Sequence, residues 1–258
     1  ANPPFNVDDV DAEKIKNDPR LPFGLPGVNK KGAVSNGNYL WISYFYSYLS
    51  DQGRSGFVMS SQASSAGGEE AKVRRKLVES GDVDAMISIR GNFFYTRSVP
   101  CELWFLNKDK PKEHQGKVLM LDARKVFRKV TRKIYDFSPE QLQNLTAIVW
   151  LYRGETDRFL ELVEGYLGNV LSEAKAAETP LSDFAKALDA VLAKVTTVDD
   201  ETKKLREVLT TDVESFRLAV TAGVKTWGKA KKDTAGLKSA ATAMEWMATV
   251  SNELTNGM

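Results

Sequence analysis

The chain is poor in the residues on which most metal and covalent chemistry depends. Its 258 residues include a single cysteine, Cys101, and a single histidine, His114. An internal disulfide needs two cysteines, and zinc clusters and histidine-based triads need more Cys or His than this. We therefore expect no metal site and no disulfide. Cys101 is expected to be a small core residue and His114 to lie in a polar loop.

The chain also lacks long apolar runs and a strong net charge. No stretch approaches the ~18 apolar residues of a membrane span, and the N-terminus has no signal-peptide pattern, so we expect a cytoplasmic protein without membrane contact. The 36 Lys and Arg against 34 Asp and Glu give +2, which indicates no particular partner. With 42% hydrophobic residues, the composition is that of a folded protein. Its length predicts two structural units or one large one.

The first half has the pattern of an α/β domain. Residues 6–37 contain many Pro, Gly, Asn and Asp and predict a long loop, and apolar residues at helical spacing predict a buried helix over 39–49. Short β-branched or aromatic runs predict strands at 57–60, 83–89, 101–106 and 118–121. A helix over 69–79 would make the first two strands a βαβ unit with parallel strands. The strands at 83–89 and 101–106, with no helix between them, predict an antiparallel hairpin whose tip is 92–95.

After residue 122 the pattern becomes helical. Ser138, Pro139 and Gln141 form a capping box with proline at the first helical position. Thr179-Pro180 and 197–201 predict two further helix starts. Apolar residues from Leu205 to Trp227 recur with an eleven-residue period, which predicts a long, nearly straight helix. A last helix is predicted over 237–254.

The strongest chemical signal is the run Asn2-Pro3-Pro4-Phe5. Two successive prolines fix an extended turn and remove two N–H groups that would compete for the nearby carbonyls. The side-chain oxygen of Asn2 and the carbonyl of Pro3 can accept both hydrogens of an exocyclic amine, and Phe5 can stack on its ring. This arrangement suits a planar amine that attacks an electrophile without a strong base. The alternative is a simple Pro-Pro turn with Phe5 in the core.

This run resembles the catalytic Asn-Pro-Pro-aromatic motif of S-adenosylmethionine-dependent amino-methyltransferases. Further segments make the chain similar to N6-adenine DNA methylases, specifically the modification subunit of type I restriction-modification systems. These segments are 70–77, 83–87, 92–95, 99–101, 103–108, 122–124 and 138–141. The resemblance covers residues 1 to about 170 and indicates a fragment that begins at the catalytic motif.

The resemblance implies the fold class and the domains. It implies an α/β fold, with part of a Rossmann-like S-adenosylmethionine-dependent methyltransferase sheet followed by an all-helical C-terminal domain. Residues 1–135 would be the C-terminal half of the catalytic domain, and 136–258 a helical domain for subunit interaction. The expected partners are DNA, a specificity subunit and a second modification subunit, with a restriction subunit as a further candidate.

The resemblance also implies the reaction and its residues. Methyl would pass from S-adenosylmethionine to N6 of a flipped adenine, with Asn2, Pro3, Pro4 and Phe5 as the catalytic motif. A second aromatic residue would close the other face of the base. The matching position is Phe94, with Tyr95 as second choice, and at least one of the aromatic residues 93–95 is expected in the core.

One departure from the family concerns the cofactor. The family's glycine-rich turn and following acidic residue would precede the motif, and this chain has neither. We therefore expect the fragment alone to hold S-adenosylmethionine poorly and to be inactive, and its sheet to have an exposed edge.

Basic residues are concentrated over 124–133. They could contact DNA phosphates or form a solvated helix face. The candidate contacts are Arg124, Lys125, Arg128, Lys129 and Arg132.

Two other functions remain open. One is a methyltransferase that modifies glutamine side chains of proteins or guanine in RNA, because the Asn-Pro-Pro-aromatic motif also serves such enzymes. The other is a non-enzymatic helical interaction module in which residues 2–5 are only a turn. Methyl-acceptor assays and an Asn2→Ala variant would distinguish them.

Overall fold

The computed structural model describes residues 1–93, 98–195 and 197–257, apart from the side chains of 246–248 and 250–257. The chain divides into two compact units, Ala1–Leu145 and Thr146–Met258. Within the described ranges, no helix is both long enough and apolar enough to cross a membrane.

The first unit is an α/β structure built on a mixed four-stranded sheet of order β3-β5-β4-β6. Its elements are β1 (Val10–Asp11), α1 (Ala12–Ile15), β2 (Ala33–Val34), α2 (Asn38–Ser47), β3 (Arg54–Ser60), α3 (Gln62–Ser65), α4 (Gly68–Glu79), β4 (Val83–Ile89), β5 (Cys101–Asn107), β6 (Leu119–Asp122), β7 (Arg128–Lys129) and β8 (Tyr135–Asp136). The four predicted strands and the helices over 39–49 and 69–79 are confirmed. The core packs α2 and α4 against the sheet, around Tyr39, Leu77 and Trp104.

The topology confirms the predicted hairpin and corrects the predicted βαβ unit. β4 and β5 pair antiparallel, with Ile89 opposite Cys101. β3 and β4 run in the same direction but are not neighbours, because β5 returns between them and pairs with both. β5 can take this central position since Trp104 and Leu106 are buried. The parallel neighbours in this sheet are β4 and β6.

Two segments differ from the predicted loop and helix. The predicted loop over 6–37 contains the antiparallel pair β1–β2 and helix α1, and forms a small core with Leu21 and Val34. Its apolar residues are too scattered along the chain to give a periodic pattern, yet they pack together. Residues after 122 do not become helical at once, because β7 and β8 form a small hairpin, with Arg128 opposite Asp136. Aromatic and β-branched residues such as Phe127 and Ile134 favour this extended form.

The helices that follow are α5 (Pro139–Tyr152), α6 (Thr156–Leu192), α7 (Asp200–Lys229) and α8 (Thr234–Gly257). The capping box is confirmed, because Ser138 Oγ accepts from Gln141 N (3.2 Å) and Gln141 Oε1 accepts from Ser138 N (3.0 Å). Asp199 caps α7 through Thr202 N (2.7 Å). The helix start predicted at Thr179-Pro180 is wrong, because Pro180 lies inside α6.

α6, α7 and α8 share one apolar core that includes Leu171, Phe216 and Met244. The eleven-residue stripe of α7 only partly faces it, because Leu205 and Val224 are exposed. The predicted fold class is confirmed: an α/β part with a mixed sheet precedes a helical part.

Candidate functional site

Several segments leave the sheet at one edge. β3, β4 and β6 run in the same direction, so their carboxyl ends lie on the same side of the sheet. Ser60, Cys101 and Ile89 form one row across it. Ala123 N donates to Ser88 O (2.9 Å), so the chain after β6 also leaves here. We call this the carboxyl edge, and in open α/β sheets it is where ligands bind.

The Asn-Pro-Pro-Phe motif starts beside β3 and runs toward this edge. The amino group of Ala1 donates to Gly56 O (2.7 Å), and Val58 N donates to Ala1 O (3.0 Å). These two bonds are the pattern of a parallel bridge between Ala1 and Phe57. Because the pairing is parallel, the chain leaves Ala1 in the direction of the carboxyl edge.

The motif's side chains differ in exposure. Asn2 is exposed, and its carboxamide makes no hydrogen bond to any described residue. Pro3 is buried and Pro4 is exposed. Phe5 is half-buried and packs against the core of the sheet. The motif therefore keeps an amide free at the surface while its second residue and part of its ring are anchored.

Amide side chains that sequence reasoning missed hold the chain just after the motif. Asn6 has φ 54°, a left-handed conformation that Asn tolerates better than most residues. Asn6 N donates to Asn38 Oδ1 (2.9 Å), and Asn6 Oδ1 accepts from Asn38 Nδ2 (2.9 Å) and Asn36 Nδ2 (3.1 Å). Gly37 N donates to Val7 O (2.6 Å). We call Asn6, Asn36 and Asn38 the amide clamp.

The amide clamp had one signal in the sequence. The polar residue Asn38 directly precedes the apolar run over 39–49 that predicts a buried helix. In the structure Asn38 is the first residue of α2 and is only 1% exposed. A polar residue at the start of a buried helix must find a partner within the fold. The clamp and the Ala1 pairing together fix the motif at both ends.

The loop after β4 approaches its own hairpin closely. A Cβ on Gly91 would lie 2.5 Å from Ser98 O, so only glycine fits there. Asn92 N donates to Ser98 O (3.3 Å), and the Phe93 ring lies 4.4 Å from that of Phe137. The predicted base-stacking residues Phe94 and Tyr95 lie outside the described residues.

The basic segment is not a helix face, and aspartates neutralise part of it. Arg124 makes two hydrogen bonds to Asp122 (2.8 and 2.7 Å), which lower the pKa of that carboxyl to about 2. Arg128 binds Asp136 across the β7–β8 hairpin in the same way (2.9 and 2.7 Å). These two arginines are therefore already paired with acids.

The remaining candidates for phosphate contacts are Lys125, Lys129 and Arg132. All three are exposed, and none forms an ion pair within the part of the chain that the structure describes. Their charges are available to an anionic partner.

A buried carboxyl group lies in the central strand near the same edge. Glu102 is 4% exposed, and it accepts from Ser64 Oγ (2.5 Å) and Trp104 Nε1 (3.1 Å). Burial raises its pKa, which the hydrogen bond from Ser64 partly offsets. Because Ser64 belongs to α3, this contact fixes α3 at the end of β3.

The described residues do not fit a complete S-adenosylmethionine site. Such a site needs a glycine-rich turn that leads from a strand into a helix and closely approaches the ligand. A Cβ at Gly67 or Gly68, where α4 begins, would meet nothing within 4 Å, and Gly91 packs against its own hairpin. In the same residues, no group of three or more His, Cys, Asp or Glu side chains could hold a metal ion.

Comparison with known protein families identifies the family of this chain. The family model for N-6 DNA methylases matches residues 1–169. This match spans more than half of the chain, and the chain belongs to the N-6 DNA methylase family.

Named relatives are type I restriction enzyme subunits. The chain is 37% identical over 149 residues to the type I restriction enzyme MjaIX methylase subunit of Methanocaldococcus jannaschii, covering 56% of this chain and 26% of that protein. It is 29% identical over 146 residues to the HindI methylase subunit of Haemophilus influenzae, covering 56% and 31%. The chain thus matches about a quarter to a third of the length of these relatives.

A solved structure is also similar. It is the type I restriction-modification system methyltransferase subunit from Streptococcus thermophilus, at 23% identity and TM-score 0.49. The match covers 56% of this chain and 29% of that one.

Proposed function

We propose that the protein to which this chain belongs transfers methyl from S-adenosylmethionine to N6 of adenine in DNA. It would do so as the modification subunit of a type I restriction-modification system. Family membership supports the class of reaction. The observation that supports a part for this chain in the reaction is the Asn2 carboxamide, which makes no hydrogen bond to a described residue. The motif around it is held by Ala1 at one end and by the amide clamp at the other.

The motif holds the amine that is methylated. Asn2 Oδ1 and the Pro3 carbonyl accept the two N6 hydrogens of a flipped adenine, and the exposed part of Phe5 stacks on its ring. Pro3 and Pro4 have no N–H group that would compete for these acceptors. The adenine face opposite Phe5 is assigned to Phe94, with Tyr95 as the second candidate.

The two acceptors also support the chemical step. S-adenosylmethionine would supply the methyl group: the bond from N6 to the methyl carbon would form as the bond from that carbon to sulfur breaks, leaving S-adenosylhomocysteine. Both oxygens would stabilise the positive charge that develops on N6. The methylated N6 would then release one proton to water and become neutral. Since the charged nitrogen is a strong acid, the step needs no strong base in the protein.

We assign the binding site of the methyl donor to residues outside this chain. The described residues form no glycine-rich cradle, and the curated relatives are about three to four times longer than the matched segment. This chain alone is therefore expected to be inactive. In the whole protein, residues 1–135 would hold the base.

The helical residues 136–258 would bind partner subunits. α6 and α7 expose large apolar side chains that a helical partner could cover. They include Phe184, Val191, Leu205 and Val208. The proposed partners are a specificity subunit, a second modification subunit and a restriction subunit, acting on DNA in the cytoplasm.

The basic segment would contact the DNA backbone. Lys125, Lys129 and Arg132 are the main candidates because their charges are not neutralised by a described acid. Arg124 and Arg128 can contribute only while they also hold Asp122 and Asp136.

The test is a methyl-acceptor assay on the whole protein with its partner subunits. Labelled S-adenosylmethionine is offered with unmethylated DNA, RNA or protein in parallel reactions. The proposal predicts label in DNA as N6-methyladenine, and its loss in Asn2→Ala. Asn29→Ala is the control, because it removes an asparagine side chain that caps a turn through two backbone N–H groups and, among the described residues, forms no hydrogen bond with the motif. Label in RNA or in protein glutamine would replace the substrate, and no label in any acceptor would refute the reaction.

A further inference from the structure

Arg90 occupies a particular position at the carboxyl edge. It directly follows Ile89, the last residue of β4, in the row that also contains Ser60 and Cys101. Its guanidinium carbon lies 4.0 Å from the centre of the Phe127 ring and 3.6 Å from that of Tyr135. The two aromatic rings fix the orientation of the positive group.

The charge of Arg90 has no counterpart in the described structure. Arg90 makes neither an ion pair nor a hydrogen bond there, and its Nε is buried without a partner. Arg90 is half-buried, and aromatic contacts do not replace the hydrogen bond that its buried Nε–H would make to water, so this group is costly to leave unsatisfied.

The described acidic residues near Arg90 form ion pairs with other arginines and not with Arg90. Asp122 binds Arg124, and Asp136, which follows Tyr135 directly, binds Arg128. The segment therefore neutralises two of its arginines and leaves Arg90 as an oriented positive group beside the motif's edge of the sheet. An anion from outside the chain would complete this arrangement.

We propose that Arg90 binds a phosphate of the DNA strand next to the adenine held by the motif. This inference rests on the proposed function. A planar guanidinium group can donate two parallel hydrogen bonds to phosphate oxygens, and phosphates are the anions that DNA presents. Arg90 would thereby fix the strand, while Asn2 and Phe5 hold the base.

The salt dependence of DNA binding tests this contact. Each phosphate neutralised in duplex DNA contributes about −0.9 to the slope of log K against log salt concentration. Duplex binding by the whole protein with its partner subunits is measured by fluorescence anisotropy over a series of NaCl concentrations. Arg90→Met, whose apolar chain fits between the two rings, should make the slope shallower by about 1 and weaken binding by about tenfold at low salt.

Two variants serve as controls. Arg90→Lys retains the charge and should retain the slope. Arg20→Met removes a guanidinium that also lies over a ring, 4.7 Å from the centre of Tyr44, but binds Asp18. It should change neither the slope nor the affinity. If Arg90→Met does not fold, Arg90→Gln provides a second neutral side chain.

The outcomes are distinct. An unchanged slope in the neutral variants, with or without a lower melting temperature, would show that Arg90 only braces Phe127 and Tyr135 and would overturn the inference. A complex that binds DNA but methylates none would refute the proposed function, while its slopes would still report the Arg90 contact. A complex that binds RNA or protein but not DNA would overturn both.

Discussion

The amide clamp gives the sharpest prediction about the motif, through Asn38→Ala. Asn38 is almost fully buried and exchanges two hydrogen bonds of 2.9 Å with Asn6, one to its main chain and one to its side chain. Alanine removes both bonds and leaves the Asn6 N–H without its partner. Each lost bond costs about 1 kcal/mol, and because Asn6 is exposed, water can replace the partner that its N–H loses. We expect the free energy of unfolding to fall by about 2 kcal/mol.

Two assays are needed because the clamp has two consequences. Urea denaturation of the chain measures the loss of stability, and methyl transfer by the whole protein measures the loss of motif geometry. Asn38→Asp should also impair transfer, because it retains an acceptor for Asn6 N but directs a second oxygen at Asn6 Oδ1. Asn29→Ala loses two comparable bonds elsewhere and should transfer methyl normally. An Asn38→Ala protein with wild-type stability and wild-type transfer would refute the clamp.

Three further predictions concern stability. Burial raises the pKa of Glu102, so the folded state binds this proton more tightly than the unfolded chain. This tighter proton binding adds to the free energy of unfolding. The added stability is fully present below the ordinary pKa of 4.5 and is lost as the pH rises through the pKa of Glu102 in the folded state. Glu102→Gln should flatten this part of the curve in pH-dependent denaturation, and an identical curve would contradict the assignment. Pro180→Ala should raise the melting temperature, because a proline inside α6 costs up to about 3 kcal/mol relative to alanine. A lower melting temperature would instead favour a helix that begins at Thr179. Asp136→Asn should cost less than about 1 kcal/mol in urea denaturation, because the Arg128 pair is largely exposed, and a loss above 2 kcal/mol would show a larger role for the hairpin.

Local sequence patterns predicted the elements of the sheet better than their arrangement. The apolar runs at 57–60, 83–89 and 101–106 are all strands, because short buried strands have a strong compositional signal. That signal contains no information about neighbours, so the insertion of β5 between β3 and β4 could not be read from it. The prediction at Pro180 was wrong for a related reason. Proline is favoured at helix starts, but α6 continues past Pro180 because it packs against α7 and α8.

The candidate site was predicted in part. The motif at residues 2–5 was visible because its chemistry is local, with four adjacent residues. The amide clamp depends on Asn6 and Asn38, which are 32 residues apart and meet only in the fold. For the basic segment, the sequence predicted too many available charges. It shows the positive residues but not that Asp122 and Asp136 form ion pairs with two of them.

The central claim is that Asn2 holds the amine that is methylated. The most direct test is a single-turnover measurement of methyl transfer to adenine N6 in DNA, by the whole protein with its partner subunits, comparing wild type with Asn2→Ala. Loss of one preorganised charge-stabilising group typically costs about a hundredfold or more in rate. We predict a loss of this size with DNA affinity unchanged within about threefold, because Asn2 is exposed and contacts no described residue through a hydrogen bond. A single-turnover rate within about threefold of wild type would contradict the account.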